Sequence, residues 1–524
     1  RIVKVAGQAS EPETGYYVSF DNTTKRWTEC LGYNAGEEID PATMPHLLND
    51  NGDGTWEIAP YVWSGRTVGD ADSNPTPSFV GFKVQQMFLT NNRMCILADE
   101  NLVSSEVGAF DNFYRTTCTT LLASDRIDVA AMTADNRVSK LYHAVDFHNE
   151  LLIFSDRSQF KIDTSSGISP ETINIRPSTS FHASKRVPPV RIGQNVMFVD
   201  DADNSAWVDL REYLVDDVIG VSSSEIITKA VPELIPTGVY KIIVNPSLGN
   251  ALVFTSGDTT RVYLYSHYDQ EQKRVQSAWC YWEDTNVQFV NGAFVGNRLW
   301  LTLIREGKLL LVQADLQETV QGDFEGLEVM LDYRVTSPSM SFDGTNTTVT
   351  LPYDTIVGEN YSAVIIVDGI DPAGTAYPAS SASGNTLVFN EVDLSTETIM
   401  VGKKYAFEYE LSPIFLRDAG MVPVQDGRLQ LRYLSILYHQ TSYFRVEVTP
   451  PGRQTFTAVF AGRVLGRLTD IVGEVAVDNG EFRVSCSGES DQVLIKIIND
   501  SPFNSRFSSI EWEGSWRPRT NRMR

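Results

Sequence analysis

Five times an asparagine precedes a short apolar run, a polar turn and usually another run: Asn92-Arg-Met-Cys-Ile-Leu, Asn149-Glu-Leu-Leu-Ile-Phe, Asn195-Val-Met-Phe-Val, Asn250-Ala-Leu-Val-Phe and Asn297-Arg-Leu-Trp-Leu. The anchors stand 57, 46, 55 and 47 residues apart. That period is in the range of β-propeller blades, whose individual sheets cannot bury both faces alone and must pack around an axis. Asp156-Arg157-Ser158, residues 200–205, Ser256-Gly257-Asp258 and Glu306-Gly307-Lys308 supply turn chemistry where hairpins must reverse. The repeats share pattern rather than identity, and a β-sandwich with long hairpins satisfies the same spacing. The expected fold is mainly β, with a propeller-like core over residues 59–317 and small inserted or appended β-domains of sandwich or barrel type.

Around that core the texture changes. Residues 1–58 hold a strand near Tyr17-Val-Ser-Phe and a short helix expected around Met44 to Leu48. They read as the end of a domain whose earlier part is missing, because the chain opens at Arg1 without methionine. Ser277-Ala-Trp-Cys-Tyr-Trp-Glu and Val287-Gln-Phe-Val read as one strand and the start of the next, with Trp279 and Trp282 in core packing. Residues 318–411 alternate in Thr347-Thr-Val-Thr-Leu, Ala363-Val-Ile-Ile-Val and Thr386-Leu-Val-Phe between Gly, Pro, Ser and Asp clusters. They form an acidic β-domain expected to interrupt the propeller elements. Residues 412–524 alternate again in Leu429-Gln-Leu-Arg-Tyr, Tyr443-Phe-Arg-Val-Glu-Val and Val493-Leu-Ile-Lys-Ile-Ile. They read as a sandwich-like domain with a basic tail.

The net charge of −24 argues against a general nucleic-acid binder, which releases counterions from phosphate through a cation-rich surface. The charge is uneven. Residues 318–410 hold 15 acids against Arg334, Lys403 and Lys404, whereas residues 417–524 hold 14 Lys plus Arg against 12 acids. Five scattered cysteines, Cys30, Cys95, Cys118, Cys280 and Cys486, contain no CxxC pair and read as buried free thiols, in keeping with assembly in a reducing cytoplasm.

Candidate chemistry is sparse. Asn49, Asn51 and Asp53 occupy the first, third and fifth positions of a calcium-type loop with Gly54 sixth, but Pro60 stands where the closing carboxylate belongs. A hairpin turn is the better reading. The acidic run Asp200-Asp201-Ala-Asp203-Asn204 is explained by turn residues. Ser158 and Lys161 match S-x-x-K without its companion motifs, and His143 with His148 reads as structural. Two carboxylates suffice for glycoside hydrolysis, so a carbohydrate-binding or glycan-degrading propeller stands as the competing reading. No catalytic residue, metal or cofactor is expected.

From Trp63 to Phe113 the chain carries Arg66, the pair Gly69-Asp70, Asn74-Pro75-Thr76-Pro77-Ser78-Phe79 and Asn112-Phe113. Each proline fixes its own φ and moves the preceding residue out of the α region. In order and spacing this segment resembles the tail nozzle (tail tubular protein B) family of short-tailed bacteriophages. The resemblance implies a virion tail protein rather than an enzyme: a hexameric ring below a tail adaptor (gatekeeper), in company with a tail fibre. The ring would surround transiting double-stranded DNA without sequence-specific binding and touch the host surface during ejection. Within that picture Asp343, Asp354, Glu359, Asp368 and Asp371 of the acidic island are expected to line the DNA channel, where carboxylates repel phosphate. Asp70, Asn74, Pro75, Arg517 and Arg519 are candidate subunit contacts.

Overall fold

The computed structural model describes residues 1–7, 10–36, 38–131, 139–202, 205–215, 222–270, 273–316, 328–418, 422–424, 426–463 and 475–518. It divides into two compact units, residues 1–317 and 318–524. Among the described residues strands dominate, and the helical segments are two 3-10 turns, Pro12–Thr14 and Pro41–Thr43. The helix expected around Met44 to Leu48 is instead a strand, His46–Asp50, paired with Trp56–Pro60. Asp40 caps only the short turn before it, accepting a bond from the Ala42 N–H. The reach of Leu47 and Leu48 is then set by cross-strand pairing rather than by a helical stripe.

Five antiparallel meanders follow one another in the first unit. The first contains Val84–Thr90, Arg93–Ala98, Asn101–Ser104 and Ile127–Ala130. The second contains Leu141–Phe147, Glu150–Ser155, Gln159–Asp163 and Arg176–Thr179. Val190–Ile192, Asn195–Asp200, Asp209–Val215 and Ser222–Ile226 make the third, and Val239–Asn245, Asn250–Thr255, Arg261–Gln270 and Lys273–Glu283 the fourth. The fifth has Val287–Val295, Arg298–Arg305 and Lys308–Asp315.

Each repeated asparagine is the first residue of the second strand of its meander, as at Asn195 and Asn250, or stands immediately before it, as at Asn92, Asn149 and Asn297. Pairings Thr90↔Arg93, Phe147↔Glu150, Ile192↔Asn195 and Val295↔Arg298 leave two-residue loops. Asn91, His148, Gly193 and Gly296 take positive φ at the first loop position, as tight hairpins require.

The second strands Arg93–Ala98, Glu150–Ser155, Asn195–Asp200 and Asn250–Thr255 are buried along almost their whole length. Burial on both faces explains why they read as unbroken apolar runs instead of alternating. The cover comes from neighbouring meanders. Leu97 and Leu102 of the first sheet share a core with Leu151 and Ile153 of the second. Phe147 and Phe154 of the second meet Val196 and Phe198 of the third, and Met197 and Leu210 of the third meet Ala251 and Tyr263 of the fourth. The leading strands also pack in series, each against that of the next meander. At the fourth seam a Cβ on Gly292 would lie 2.7 Å from Phe254 Cζ, so backbone approaches ring directly.

The second unit holds two pairs of sheets. Asp332–Thr336, Ile399–Lys403, Tyr361–Ile365 and Ala376–Pro378 face Ser339–Phe342, Thr347–Thr350, Thr386–Phe389 and Ser381–Ser383. Val349, Ala363, Leu387 and Val401 lie in their shared core. Phe407–Glu410, Leu494–Asn499, Phe444–Thr449 and Phe456–Phe460 close over Asp478–Glu489, Gly427–Thr441 and Arg506–Pro518 around Leu434, Phe444, Val484 and Ile497. Among the described residues the named strands after Lys403 pair with one another in a second sandwich.

Candidate functional site

The turn-rich segment after Trp63 forms the outer cover of the first meander. Trp63, Phe79 and Phe113 pack with Ile96 and Val103 of that sheet, and the Phe79 and Phe113 rings meet edge-on at 5.1 Å. Its polar residues are used inside this cover. Asn74 is fully buried; its amide donates to the Val68 and Arg115 carbonyls, both at 3.1 Å, and its Oδ1 accepts from the Arg115 N–H at 3.0 Å. Arg66 donates through Nε to the Asn74 carbonyl at 2.7 Å and through Nη1 to the Ala35 carbonyl at 2.8 Å. Arg93, also fully buried, gives its guanidinium to the carbonyls of Ser105, Asp125 and Ala123. Buried arginines that saturate loop carbonyls act as internal scaffolds, because each carbonyl left bare would carry its full desolvation cost.

Asp70 closes the turn. Its Oδ1 accepts from the Asp72 and Ser73 N–H groups and its Oδ2 from the Tyr17 hydroxyl at 2.7 Å. That last bond, with burial behind it, pushes the Tyr17 phenol up to about 12. Burial works to raise the Asp70 carboxyl, but the bonds from Tyr17 and Ser73 overcome it and hold it below the usual carboxylate range. Gly69 has φ +76°, and a Cβ there would stand 2.6 Å from Cys118 Sγ, which makes glycine a steric requirement.

The candidate contact residues thus separate. Asn74 is interior and Asp70 is half-buried in a turn, while Pro75 and Arg517 are exposed. Arg519 lies outside the described residues, as do Asp203 and Asn204.

The candidate channel residues separate in the same way. Glu359 is turned inward, where it pairs with Lys403 Nζ at 2.8 Å and accepts from the Tyr361 hydroxyl at 2.5 Å. Asp343 is exposed at a hairpin and accepts from the Thr345 and Asn346 N–H groups, which with its other turn bonds lower its carboxyl. Asp368 is exposed and caps the Ala373 N–H, Asp371 accepts from the Tyr377 hydroxyl, and Asp354 is half-buried on the loop before Tyr361.

The loop Asn49 to Gly54 is the turn of the His46–Asp50 hairpin, with Asp50 accepting from the Gly52 N–H and Asp53 from the Thr55 N–H. Ser158 closes the turn into Gln159–Asp163, and Lys161 lies within that strand, where it pairs with Glu150 at 2.9 Å. His143 is buried, with Nε2 lacking a hydrogen-bond partner. Burial holds its pKa down at about 4. Trp279 is half-buried and donates to the Ile227 carbonyl at 3.2 Å, tying the fourth meander to the chain leaving the third. At that seam Arg274 bonds Glu212 and Asp269. Of the cysteines, Cys95 and Cys486 are buried, Cys30 and Cys118 half-buried and Cys280 exposed, so burial applies to only some of the free thiols.

Arg66 is legible in the sequence only as part of the motif order after Trp63, not as a buried scaffold, and Arg93 only as a member of an asparagine-led run. Arg93 carried the one available signal, a cation standing inside an apolar run.

Among curated proteins, the tail tubular protein gp12 of Escherichia phage T7 is 29% identical over 532 residues, covering 99% of this chain and 66% of that protein. The chain thus spans just under two thirds of the relative's length. Among solved structures, PorZ of Porphyromonas gingivalis aligns over 71% of this chain and 42% of its own with 10% identity and a TM-score of 0.25. The Chaetomium thermophilum Nup170 N-terminal domain aligns over 59% and 58% with 7% identity and a TM-score of 0.28. Structural likeness at those scores carries no argument. The model of the bacteriophage nozzle protein family matches residues 1–523, so the chain belongs to that family.

Proposed function

We propose that the chain is a ring-forming subunit of the distal nozzle of a short phage tail, conducting genomic DNA during ejection and contacting the host surface. The observation that carries this reading is the family match along residues 1–523. In this reading the five meanders are blades around an axis, an arrangement supported by their serial packing and shared cores. The subunits form a hexamer that meets an adaptor ring and a tail fibre and assembles in the host cytoplasm. The domains are residues 1–58, the blades 59–317, an acidic sandwich and a C-terminal sandwich. The last boundary is best set before Phe407, which pairs with Asn499, rather than at 411.

The acidic sandwich is assigned to the bore. Asp343, Asp368 and Asp371 sit in its loops, and with Asp354 they would repel phosphate and keep DNA from adhering during transit. Glu359 is better assigned to holding Lys403, and Asn74 to holding its own turn; Pro75 and Arg517 stand as surface contacts. The role is structural rather than catalytic.

The mass of the purified protein in solution, with and without the adaptor and followed by negative-stain imaging, tests the ring. A sixfold tube with an open bore is expected; a persistent monomer or trimer under both conditions overturns it. Replacing Asp343, Asp368 and Asp371 together by Lys should slow DNA ejection without blocking assembly, and unchanged ejection removes them from the bore.

A further inference from the structure

Three asparagines of the chain precede glycine: Asn51-Gly52, Asn291-Gly292 and Asn479-Gly480. Glycine leaves the backbone nitrogen after asparagine sterically open, and that nitrogen can attack the side-chain amide carbon and close a succinimide. The fold treats the three steps differently. Asn291 Oδ1 accepts from Lys241 Nζ at 2.5 Å and from the Gly292 N–H at 2.9 Å, but both residues lie in a ladder opposite Thr302 and Leu301, which ring closure would have to part. Gly480 pairs with Tyr438, and Asn479 Oδ1 accepts from the Gln440 N–H at 2.6 Å. Asn51 and Gly52 instead stand outside the ladder, at the tip of the His46–Asp50 and Trp56–Pro60 hairpin. That hairpin stands out in water: Leu48, Trp56 and Ile58, which share a face, are 58%, 62% and 72% exposed, and residues 50–55 are exposed throughout.

Around Asn51 the polar groups are placed for the reaction. Asp50 Oδ1 accepts from the Gly52 N–H at 2.8 Å, which sets a carboxylate base on the attacking nitrogen. Asn51 Nδ2, the departing amine, donates to Thr55 Oγ1 at 3.0 Å, and that hydroxyl donates to Asp53 Oδ1 at 2.5 Å. Gly52 has φ +74° and open space where a Cβ would stand. We propose that Asn51-Gly52 is a self-modifying site, at which the hairpin tip deamidates itself with Asp50 as general base. The Gly52 nitrogen attacks Asn51 Cγ as Asp50 takes its proton. The Cγ–Nδ2 bond then breaks, and Nδ2 receives that proton from Asp50 and leaves as ammonia. Water opens the succinimide at either carbonyl, leaving aspartate or isoaspartate at position 51. The change hydrolyses one amide, so water is the only co-reactant. The tip gains a carboxylate beside Asp50 and Asp53, and isoaspartate routes the main chain through an extra methylene, so aged chains differ from new ones at this surface.

The test incubates the full chain in neutral buffer and follows each Asn-Gly step by peptide mass spectrometry, with digestion at mildly acidic pH and chromatographic separation of aspartate from isoaspartate. Asn51 is expected to deamidate at least about tenfold faster than Asn291 and Asn479. Asp50→Ser keeps a side-chain acceptor for the Gly52 N–H and removes the base. It should slow Asn51 about tenfold or more, make the remaining rate steeper in pH as hydroxide takes over, and leave Asn291 and Asn479 unchanged. Those two steps also report that the variant keeps its fold. A rate at Asn51 no faster than at the other two overturns the site. An unchanged rate in Asp50→Ser, or a wild-type rate as steep in pH as hydroxide catalysis alone gives, overturns the role of Asp50.

Discussion

The loops that cover the first meander and the loops of the acidic sandwich have the same turn-forming vocabulary, yet use it in opposite directions. In the cover, Arg66, Asn74 and Arg93 point inward and bond backbone carbonyls. In the sandwich, Asp343 and Asp368 stay exposed and bond only nearby N–H groups. The difference is one of reach. A short carboxylate satisfies its own turn and leaves its charge in water, whereas a long guanidinium or a buried amide reaches carbonyls on several segments and fixes them to one another. Loop polarity alone therefore says little about whether a residue faces a partner.

The sharpest way to break the comparison is Arg93→Met. It should destabilise the first unit by about 3–5 kcal/mol by stranding the buried carbonyls of Ser105, Asp125 and Ala123, read as a lower urea midpoint. An unchanged midpoint would mean that water reaches those carbonyls. The buried side also predicts a pH response. His143 has a folded pKa near 4 against an ordinary value of 6.5, so on acidification the unfolded chain takes up the proton first. Its contribution is fully present above pH about 6.5 and falls by up to about 3 kcal/mol as pH drops to about 4. His143→Asn should flatten that part of the stability profile; an identical slope in both proteins would assign the response to other groups.

Asn74→Ala should cost about 2–3 kcal/mol, because two buried carbonyls and one N–H lose their partner. Pro75→Ala beside it should alter stability much less while leaving the Asn74 bonds in place. Within the acidic sandwich, Glu359→Gln should cost about 2 kcal/mol by weakening the buried pair with Lys403. Asp368→Asn should stay within about 0.5 kcal/mol. Equal effects at those two positions would erase the distinction between inward and outward acids.

The comparison also shows what could be read without a structure. The asparagine-led runs located all five second strands: in four of them burial on both faces demands continuous apolar sequence, and in the fifth, Arg298–Arg305, buried and half-buried positions alternate. Thr347 and Thr386 marked strands of the acidic sandwich by alternation between a core face and an outer one, whereas Ala363 opens an apolar run in a strand buried throughout. Met44 to Leu48 misled because four or five residues of apolar and polar mixture fit a helical turn and a strand equally well. The preference was decided by Trp56–Pro60 returning to pair with them.

What the sequence determined by itself is the local vocabulary: strands, hairpins, the acidic island and the motif order that resembles a tail nozzle. These depend on side-chain periodicity and backbone preferences within about a dozen residues. Only the tertiary structure decided that Asn74 and Glu359 face inward, that Arg93 joins three distant carbonyls, and that Leu48, Trp56 and Ile58 share a face left in water. The inward-facing outcomes turn on segments distant in the chain, Asn74 meeting Arg115, Arg93 meeting Ala123 and Asp125 and Glu359 meeting Lys403, where one turn's direction decides whether a polar group finds a buried partner or solvent.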